Sequence, residues 1–484
     1  MKIQIATKPL IEIKDSFLVL PIFEDDHKDY GFSVVKSYLT DYPKFGKLFV
    51  GQLLYSANSK IMLVGAGKKD KFKFITLQNL VGASVKKLLK KAKSLSVVLP
   101  KEGNLSEEDK VYASALGVEI ASYDPTKDFK SKHEPATLMT VEFLVDRAER
   151  GLQEGLRKGQ IVAESINLTR KLGDLPANFM TPTYMLEVSK KLAKENKLKL
   201  TVLDEKQAKK KGMGAFSGVA QGSEESSYMI ALEYIGDIKS KDKWAFVGKG
   251  ITFDTGGLSI KPSHSMHEMK YDMVGAAAVM GAIAAISKLN LRTNVVAIMA
   301  VTENLPGGKA QRPGDIVKTY SGKTAEIIDT DAEGRLVLID AITYAQKDFK
   351  AKKIIDLATL TGAIIVTLGD HITGVMGNKS EFTKKFMDIA NKYGEKMWEL
   401  PMFDEFNEMI KSEMADMTNL GHGGSLRGAA GSITGAKFLE AAIEEGAEWI
   451  HLDIAGTGWD MKPKPYRGVG ATGVGVKSLV ELVS

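Results

Sequence analysis

Residues 329–338 read DTDAEGRLVL: Asp329, Asp331, Glu333 and Arg335 are crowded together and run directly into an apolar stretch. From Leu336 to Ala345 only Asp340 carries a charge. Burying an ionised carboxylate costs several kcal/mol unless it is paired or bound to a cation. Acids at the edge of a core therefore need a reason. Asp331 and Glu333 stand two apart, and an extended segment would aim both to one side. A helix beginning near Gly334 would then carry the apolar half inward. One reading is a strand-to-helix turn in which an acid caps the helix and Arg335 neutralises another. The other is a set of acids gathered around a cation, and the decapeptide alone leaves both open.

A second stretch, WAFVGKGITFDTGGLSIKPSHSMHEMKYDMVGAAAVMGAIAAI (244–286), bears on the choice. WAFVGKG reads as a strand ending in the glycine-bracketed Lys249, and Asp254 follows in a turn with Gly256 and Gly257. Lys261 comes next, then Asp272 immediately before a small-residue apolar helix from Gly275 to Ile286. The loops flanking this core thus offer Lys249, Asp254, Lys261 and Asp272. GKG lacks the G-x-x-x-x-G-K-[ST] and G-x-G-x-x-G spacings of phosphate loops.

Working outward, strand-like and helix-like segments alternate along most of the chain, the mark of an α/β protein. LKLTVLD, YMIALEYIG, TNVVAIMAVTE, KIIDLATLTG and WIHLDIAG surround the two stretches, several of them apolar on both faces, as in a sheet covered by helices on each side. Before them, FLVLPIF, KLFVGQLLY, KIMLVGAG and LSVVLP alternate with TLQNLVGASVKKLLKKAK and DKVYASALGVEIASY. The expected organisation is a small N-terminal α/β domain over 1–145, a linker helix over 146–170, and a larger C-terminal domain over 171–484. The helical pattern is read from VEFLVDRAERG onward.

At 484 residues the chain exceeds what one core usually serves, in keeping with two domains. No uninterrupted run of about 18 apolar residues is present, so no membrane span is expected. The N-terminus lacks the pattern of a secretory signal. Cysteine is absent, which excludes disulfides, thiolate nucleophiles and Cys-type zinc sites. A cytoplasmic enzyme is the expectation. The net charge is +6, much of it in VKKLLKKAK (85–93) and AKKKG (208–212). Lys86, Lys87, Lys90 and Lys91 fall on one helical face. That face reads as a solvated surface, with nucleic-acid binding as the rival; no aromatic residues interleave with the lysines.

Other catalytic apparatus is scarce. The histidines are His27, His133, His264, His267, His371, His422 and His451, and none forms H-E-x-x-H. His264 and His267 lie in a polar loop, more a surface pair than a metal site. No G-x-S-x-G nucleophile motif is present. What remains is a set of hard oxygen donors, natural hosts of a pair of divalent cations. A metallophosphatase could use the same carboxylates.

At these residues the chain resembles the cytosolic leucyl aminopeptidases, called aminopeptidase A in bacteria. Their signature is N-T-D-A-E-G-R-L, and residues 329–336 read DTDAEGRL. The resemblance continues through GKGITFDTGGLSIKP (248–262), the 269–272 stretch, DLATLTGA (356–363), ADMTNLG (415–421), GSITGAKFLE (431–440), HLDIAGTGW (451–459) and GATGVGVKSLVELV (470–483). It implies a C-terminal catalytic domain with a mixed central sheet flanked by helices, a homohexamer, and a metal-dependent exopeptidase acting on peptide substrates, with Leu or Met preferred at the first position. It implies two divalent cations, zinc or manganese or magnesium. Lys249, Asp254, Asp272 and Glu333 would hold one, and Asp254, Asp331 and Glu333 the other. Lys261 would stabilise the oxyanion, and Arg335 would hold a bicarbonate that shuttles protons. Met269, Leu360 and Gly362 would shape the substrate pocket. Some bacterial relatives also bind DNA. One departure stands out: the signature's first Asn is Asp329 here, adding a charge beside the site.

Overall fold

The computed structural model describes residues 1–14, 16–56, 59–147, 150–421 and 428–484. The chain divides into two compact units, one of Met1–Asn167 with Met461–Val469, the other of Leu168–Asp460 with Gly470–Ser484.

The N-terminal unit is built on β1 (Lys2–Ala6), β2 (Phe17–Phe23), β3 (Gly51–Tyr55), β4 (Lys60–Gly67), β5 (Ser94–Val98) and β6 (Thr140–Leu144). These form one sheet in the order β1-β6-β5-β2-β4-β3, parallel except for β3. Helices α1 (Ser33–Asp41), α2 (Phe74–Leu88) and α3 (Glu107–Ser122) connect the strands. FLVLPIF is buried along its whole length, as a strand covered on both faces must be. Leu18, Leu20 and Ile22 meet Ile61 and Leu63 of β4 and Val35 and Leu39 of α1 in one apolar cluster. Ser106 caps α3 by accepting from Asp109 N, with Glu107, Glu108 and Asp109 in the positive first turn.

The sequence reading of a helix from Val141 needs correcting. Thr140–Leu144 is strand β6, paired on one side with β1 and on the other with β5. Its β-branched and aromatic residues suit that central slot. Helix α4 runs Arg150–Asp174, while Ala148 and Glu149, inside the expected linker helix, lie outside the described residues.

The C-terminal unit opens with α5 (Pro182–Asn196), β7 (Lys199–Asp204), α6 (Glu205–Lys211), α7 (Gly214–Ala220), β8 (Tyr228–Ile235) and β9 (Trp244–Asp254). It continues with α8 (Val274–Leu289), β10 (Asn294–Asn304), the short β11 (Ile316–Lys318) and β12 (Thr324–Glu326), and α9 (Gly334–Lys347). Then come β13 (Lys353–Ala358), α10 (Gly362–Leu368), β14 (Thr373–Gly377), α11 (Ser380–Lys392), β15 (Met397–Glu399), β16 (Met417–Thr418), α12 (Gly431–Glu440) and β17 (Glu448–Asp453). The main sheet is mixed, ordered β15-β14-β17-β13-β9-β10-β8-β7, with a parallel centre β17-β13-β9-β10. Helices α8 and α9 both pack on β9.

Side-chain alternation along β9 decides what each helix meets. Gly248 and Gly250 face α8, whose Gly275 and Ala276 approach the backbone so closely that a Cβ at 248 would lie 2.5 Å from Ala276 Cα. Lys249, between those glycines, points the other way toward the start of α9. The sequence reading ended the strand at Gly250, but β9 runs on to Asp254. The 3-10 segment and α8 together, Met266–Leu289, are long and apolar enough by composition to cross a membrane, but 89% of the most apolar window is buried inside the fold, as in a core helix.

Asp340, the one charge in the apolar part of α9, is fully buried and pins three elements. Its Oδ2 accepts from Phe216 N (2.9 Å) in α7, and its Oδ1 from Tyr320 N (2.7 Å) between β11 and β12. Burial pushes its pKa up to about 7, against the pull of these backbone donors. A carboxyl with a raised folded-state pKa stabilises fully below its unfolded value near 3.8, and that stabilisation is lost as pH rises through about 7. Asp340→Asn leaves one backbone donor without its acceptor, a cost of about 1–3 kcal/mol. Because only the wild type loses stability through this window, the penalty shrinks between pH 5 and pH 8, as denaturant titrations at the two pH values would show.

Candidate metal centre

The carboxyl ends of the parallel strands gather the chemistry, the usual site in open α/β sheets. Asp254 closes β9, Asn304 closes β10, Thr359 follows β13, and Asp453 closes β17. Asp272 sits in a 3-10 turn just before α8, and Glu333 at the entry to α9. Ligand atoms of Asp254, Asp272 and Glu333 lie within 4.8 Å of one another, and all three residues are buried. Asp331 stands at the rim with its side chain 35% exposed.

The sequence around Glu333 explains the convergence. Glu333 occupies the N-cap position of α9 but makes no side-chain capping bond. The capping alternative is therefore not what the fold uses, and the carboxylate turns to Lys249 instead. Gly334 makes room: a Cβ there would lie 2.7 Å from Lys249 Nζ. Nor is the segment before it extended. Residues 328–331 turn, with Asp331 N donating to Asp329 Oδ1 (2.9 Å) and Ala332 N to Asp329 O (3.2 Å). An acid two residues back that accepts from the backbone favours such a turn over a strand. Asparagine could make the same contact to Asp331 N, so Asp329 keeps the turn; its added charge is felt by Arg335.

Two lysines thread the acids. Lys249 Nζ lies 2.8 Å from Asp272 Oδ1 and donates to Thr359 O (2.9 Å). It also stands 2.7 Å from Glu333 Oε1, at angles unlike those of a hydrogen bond. Lys261 Nζ lies 2.8 Å from Asp254 Oδ2 and also contacts Asp331 Oδ1. Thr359 Oγ1 donates to Asp272 Oδ1 (2.8 Å), while Asp272 Oδ2 and Glu333 Oε1 have no hydrogen-bond partner among the described residues. Four carboxylates against two ammoniums leave two formal negative charges, and buried oxygens without donors.

The electrostatics register that imbalance. Burial, then Glu333 and Asp254, hold the Asp272 carboxyl well above the usual carboxylate range, against the pull of Lys249. Glu333 is raised by burial and by Asp254. Asp331 is pushed up to about 7 by burial, Asp254 and Glu333. Burial pulls Lys249 and Lys261 down, but the surrounding acids outweigh it and both rise above the ordinary lysine value. Arg335 is buried in α9, with Nε and Nη1 lacking partners among the described residues. Burial lowers it to about 10, opposed by Glu333, Asp453 and Asp329.

Of the other expected residues, Met269 is half-buried in the 3-10 turn that carries Asp272, without a charged role. Leu360 is half-buried, and its Cδ2 and Arg335 Nη2 both crowd Gly435 of α12. Gly362 is exposed and faces open space at the start of α10. His264 and His267 are exposed, and His422 lies outside the described residues. His451 is buried on Asp356 (2.6 Å), which also accepts from Trp449 Nε1 (2.7 Å), a structural pairing within the sheet.

Sequence reasoning assigned nothing to three residues that hold this site. Asn419, fully buried, accepts from Ile328 N (2.7 Å) and Asp329 N (3.2 Å) and donates to Asp329 O (2.6 Å) and Ala332 O (3.3 Å). Asp453 accepts from Leu360 N (3.1 Å) and Thr361 Oγ1 (2.6 Å). Asn304 donates to Asp254 Oδ1 (2.8 Å). The only signal was a polar residue at the end of an apolar strand or block, which reads equally well as a turn.

Comparison with known proteins agrees with this architecture. Residues 167–480 match the catalytic domain of the cytosol aminopeptidase family, and residues 51–133 its N-terminal domain. A probable cytosol aminopeptidase of Solibacter usitatus is 40% identical over 491 aligned positions, covering 100% of this chain and 99% of that one. A tomato leucine aminopeptidase mutant superposes with a TM-score of 0.88 at 33% identity, covering 100% of this chain and 96% of its own. The bottromycin maturation enzyme BotP in complex with Mn gives 0.86 at 27% identity, covering 97% and 99%. With a catalytic-domain match over more than half its length and a full-length relative at this identity, the chain belongs to the cytosol aminopeptidase family and is a peptidase.

Proposed function

We propose that the enzyme is a metal-dependent aminopeptidase that removes the first residue of peptides, Leu or Met by preference, using two divalent cations held by the acids described above. The observation that carries this reading is the triad Asp254, Asp272 and Glu333, buried with ligand atoms within 4.8 Å of one another, and with Asp272 Oδ2 lacking a donor among the described residues. Such a donor set fits hard or borderline dications, manganese, zinc or magnesium. Lys249, Asp254, Asp272 and Glu333 would hold one ion, and Asp254, Asp331 and Glu333 the other. When bound, a dication pair lowers the pKa of water and polarises a carbonyl.

The chain's own residues supply the rest. Without cations Lys249 is an ammonium favoured by its acidic neighbours, so serving as an amine donor requires that it give up its proton when the metals enter. Lys261 keeps its charge and stabilises negative charge developing on the scissile oxygen. Arg335 presents unpartnered nitrogens in a fork suited to a planar anion, which supports bicarbonate as its ligand. Main-chain groups of Leu360 and Gly362, anchored through Asp453, and the side chain of Met269 line the substrate's path. We take the chain to work as one protomer of a cytoplasmic homohexamer, on the strength of its resemblance to the family.

The test is metal removal. Dialysis against a chelator abolishes release of leucine from a leucyl anilide, and added manganese or zinc restores it. Full activity in protein shown by elemental analysis to be metal-free would overturn the reading.

A further inference from the structure

The loops that carry Asp254 and Asp331 come from distant parts of the sequence, and one side-chain amide joins them. Asn304, buried at the end of β10, donates from Nδ2 to Asp254 Oδ1 (2.8 Å) and to Thr330 O (3.0 Å), so both amide hydrogens are used. Gly256 N supplies a second donor to the same Asp254 oxygen (2.9 Å). With Oδ1 held twice, the Asp254 carboxylate cannot rotate, and Oδ2 is turned to Lys261. The main-chain carbonyl of Asn304 meanwhile accepts from Thr255 N (2.9 Å) and Thr255 Oγ1 (2.8 Å).

Two further features serve the same junction. Between Thr302 and Asn304 the β9–β10 register shifts, so that Asn304 comes to lie opposite Asp254. Irregularities of this kind re-aim side chains next to active sites. Thr330 Oγ1 donates to Gly256 O (2.6 Å) and accepts from Ser259 N (2.8 Å), closing the two loops on each other. A Cβ at Gly257 would lie 2.9 Å from Asn304 Oδ1, so the backbone too is fitted to this amide.

We propose that Asn304 is a positioning residue: by fixing the Asp254 carboxylate and the Thr330–Asp331 backbone in one geometry, it sets the affinity of the acid cluster for a divalent cation. Only a neutral donor fits this place. An aspartate would bring another carboxylate against Asp254, and alanine would free Asp254 to turn. The inference rests on the metal-dependent reading above and extends it to a residue that is not itself a ligand.

The experiment titrates manganese into metal-stripped full-length protein by calorimetry, alongside thermal unfolding of the same samples without metal. Asn304→Ala and the isosteric Asn304→Asp are compared with wild type and with Asn294→Ala. Asn294, at the opposite end of β10, donates to Asp237 O (2.8 Å) and Ser240 O (3.0 Å), a purely structural use of the same side chain. Both Asn304 variants weaken manganese binding about 10- to 100-fold, the usual effect of losing an outer partner of a ligand. The metal-free Asn304→Asp protein melts lower than wild type because its carboxylate is buried against Asp254. Asn294→Ala also melts lower yet binds manganese normally, so lost stability alone does not account for weakened binding. Wild-type affinity in both Asn304 variants would overturn this inference and leave the metal reading standing. Absence of manganese binding by wild type itself would overturn both.

Discussion

Glu333→Ala lowers kcat/KM on a leucyl anilide at least about 1,000-fold, equivalent to about 4 kcal/mol of transition-state stabilisation. Metal-free protein carrying the change unfolds near the wild-type denaturant midpoint. Glu333 is buried among Asp254, Asp272 and Asp331, and burial and Asp254 make its charge unwelcome there. Removing it relieves crowding while Lys249 keeps Asp272 (2.8 Å) as its partner. The fold therefore loses little, whereas the proposed reading makes Glu333 a ligand of both ions. Manganese raises the melting temperature of wild type and not of the variant. Near-normal turnover would refute the role assigned to Glu333.

Lys249→Met produces the opposite pattern in the metal-free protein. Lys249 is 3% exposed and stands against both Asp272 and Glu333. Taking away the cation leaves buried carboxylates uncompensated, which costs about 3–5 kcal/mol. Asp272 and Glu333 already have raised pKa values. A raised carboxyl contributes its full stability below the unfolded pKa and loses it as pH rises through the folded one. The penalty is therefore largest at pH 8 and shrinks toward pH 5 as the acids take up protons. Urea titrations of the metal-free variant at both pH values measure the difference. Equal penalties at the two would contradict the charge accounting of the cluster.

Much of this was legible in the chain. The helix from Gly334 follows from the apolar run after DTDAEGR, and the strands WAFVGKG, TNVVAIMAVTE and WIHLDIAG stand where they were expected. Acids beside a core pointed to a compensating charge, and the structure supplies two lysines and leaves an excess of negative charge. Less visible was anything set by long-range contact. VEFL reads as the first turn of a helix because the charged pattern that follows is helical, yet β1 and β5 claim it as a strand. Asn304, Asn419 and Asp453 are single polar residues whose partners lie tens of residues away, and no local period marks them. The alternation of acids at 329–333 fits an extended segment as well as a turn, and what decides for the turn is Asp329 accepting from Asp331 N, a side-chain contact that the alternation does not reveal.

Anomalous diffraction at the manganese edge, from crystals of the wild-type protein grown with manganese, tests the central claim most directly. The account predicts two peaks per chain, each bounded by carboxylates from the set Asp254, Asp272, Asp331 and Glu333, with Lys249 reaching one of them. A well-ordered cluster with no peak in it, or manganese bound only elsewhere on the chain, would contradict it.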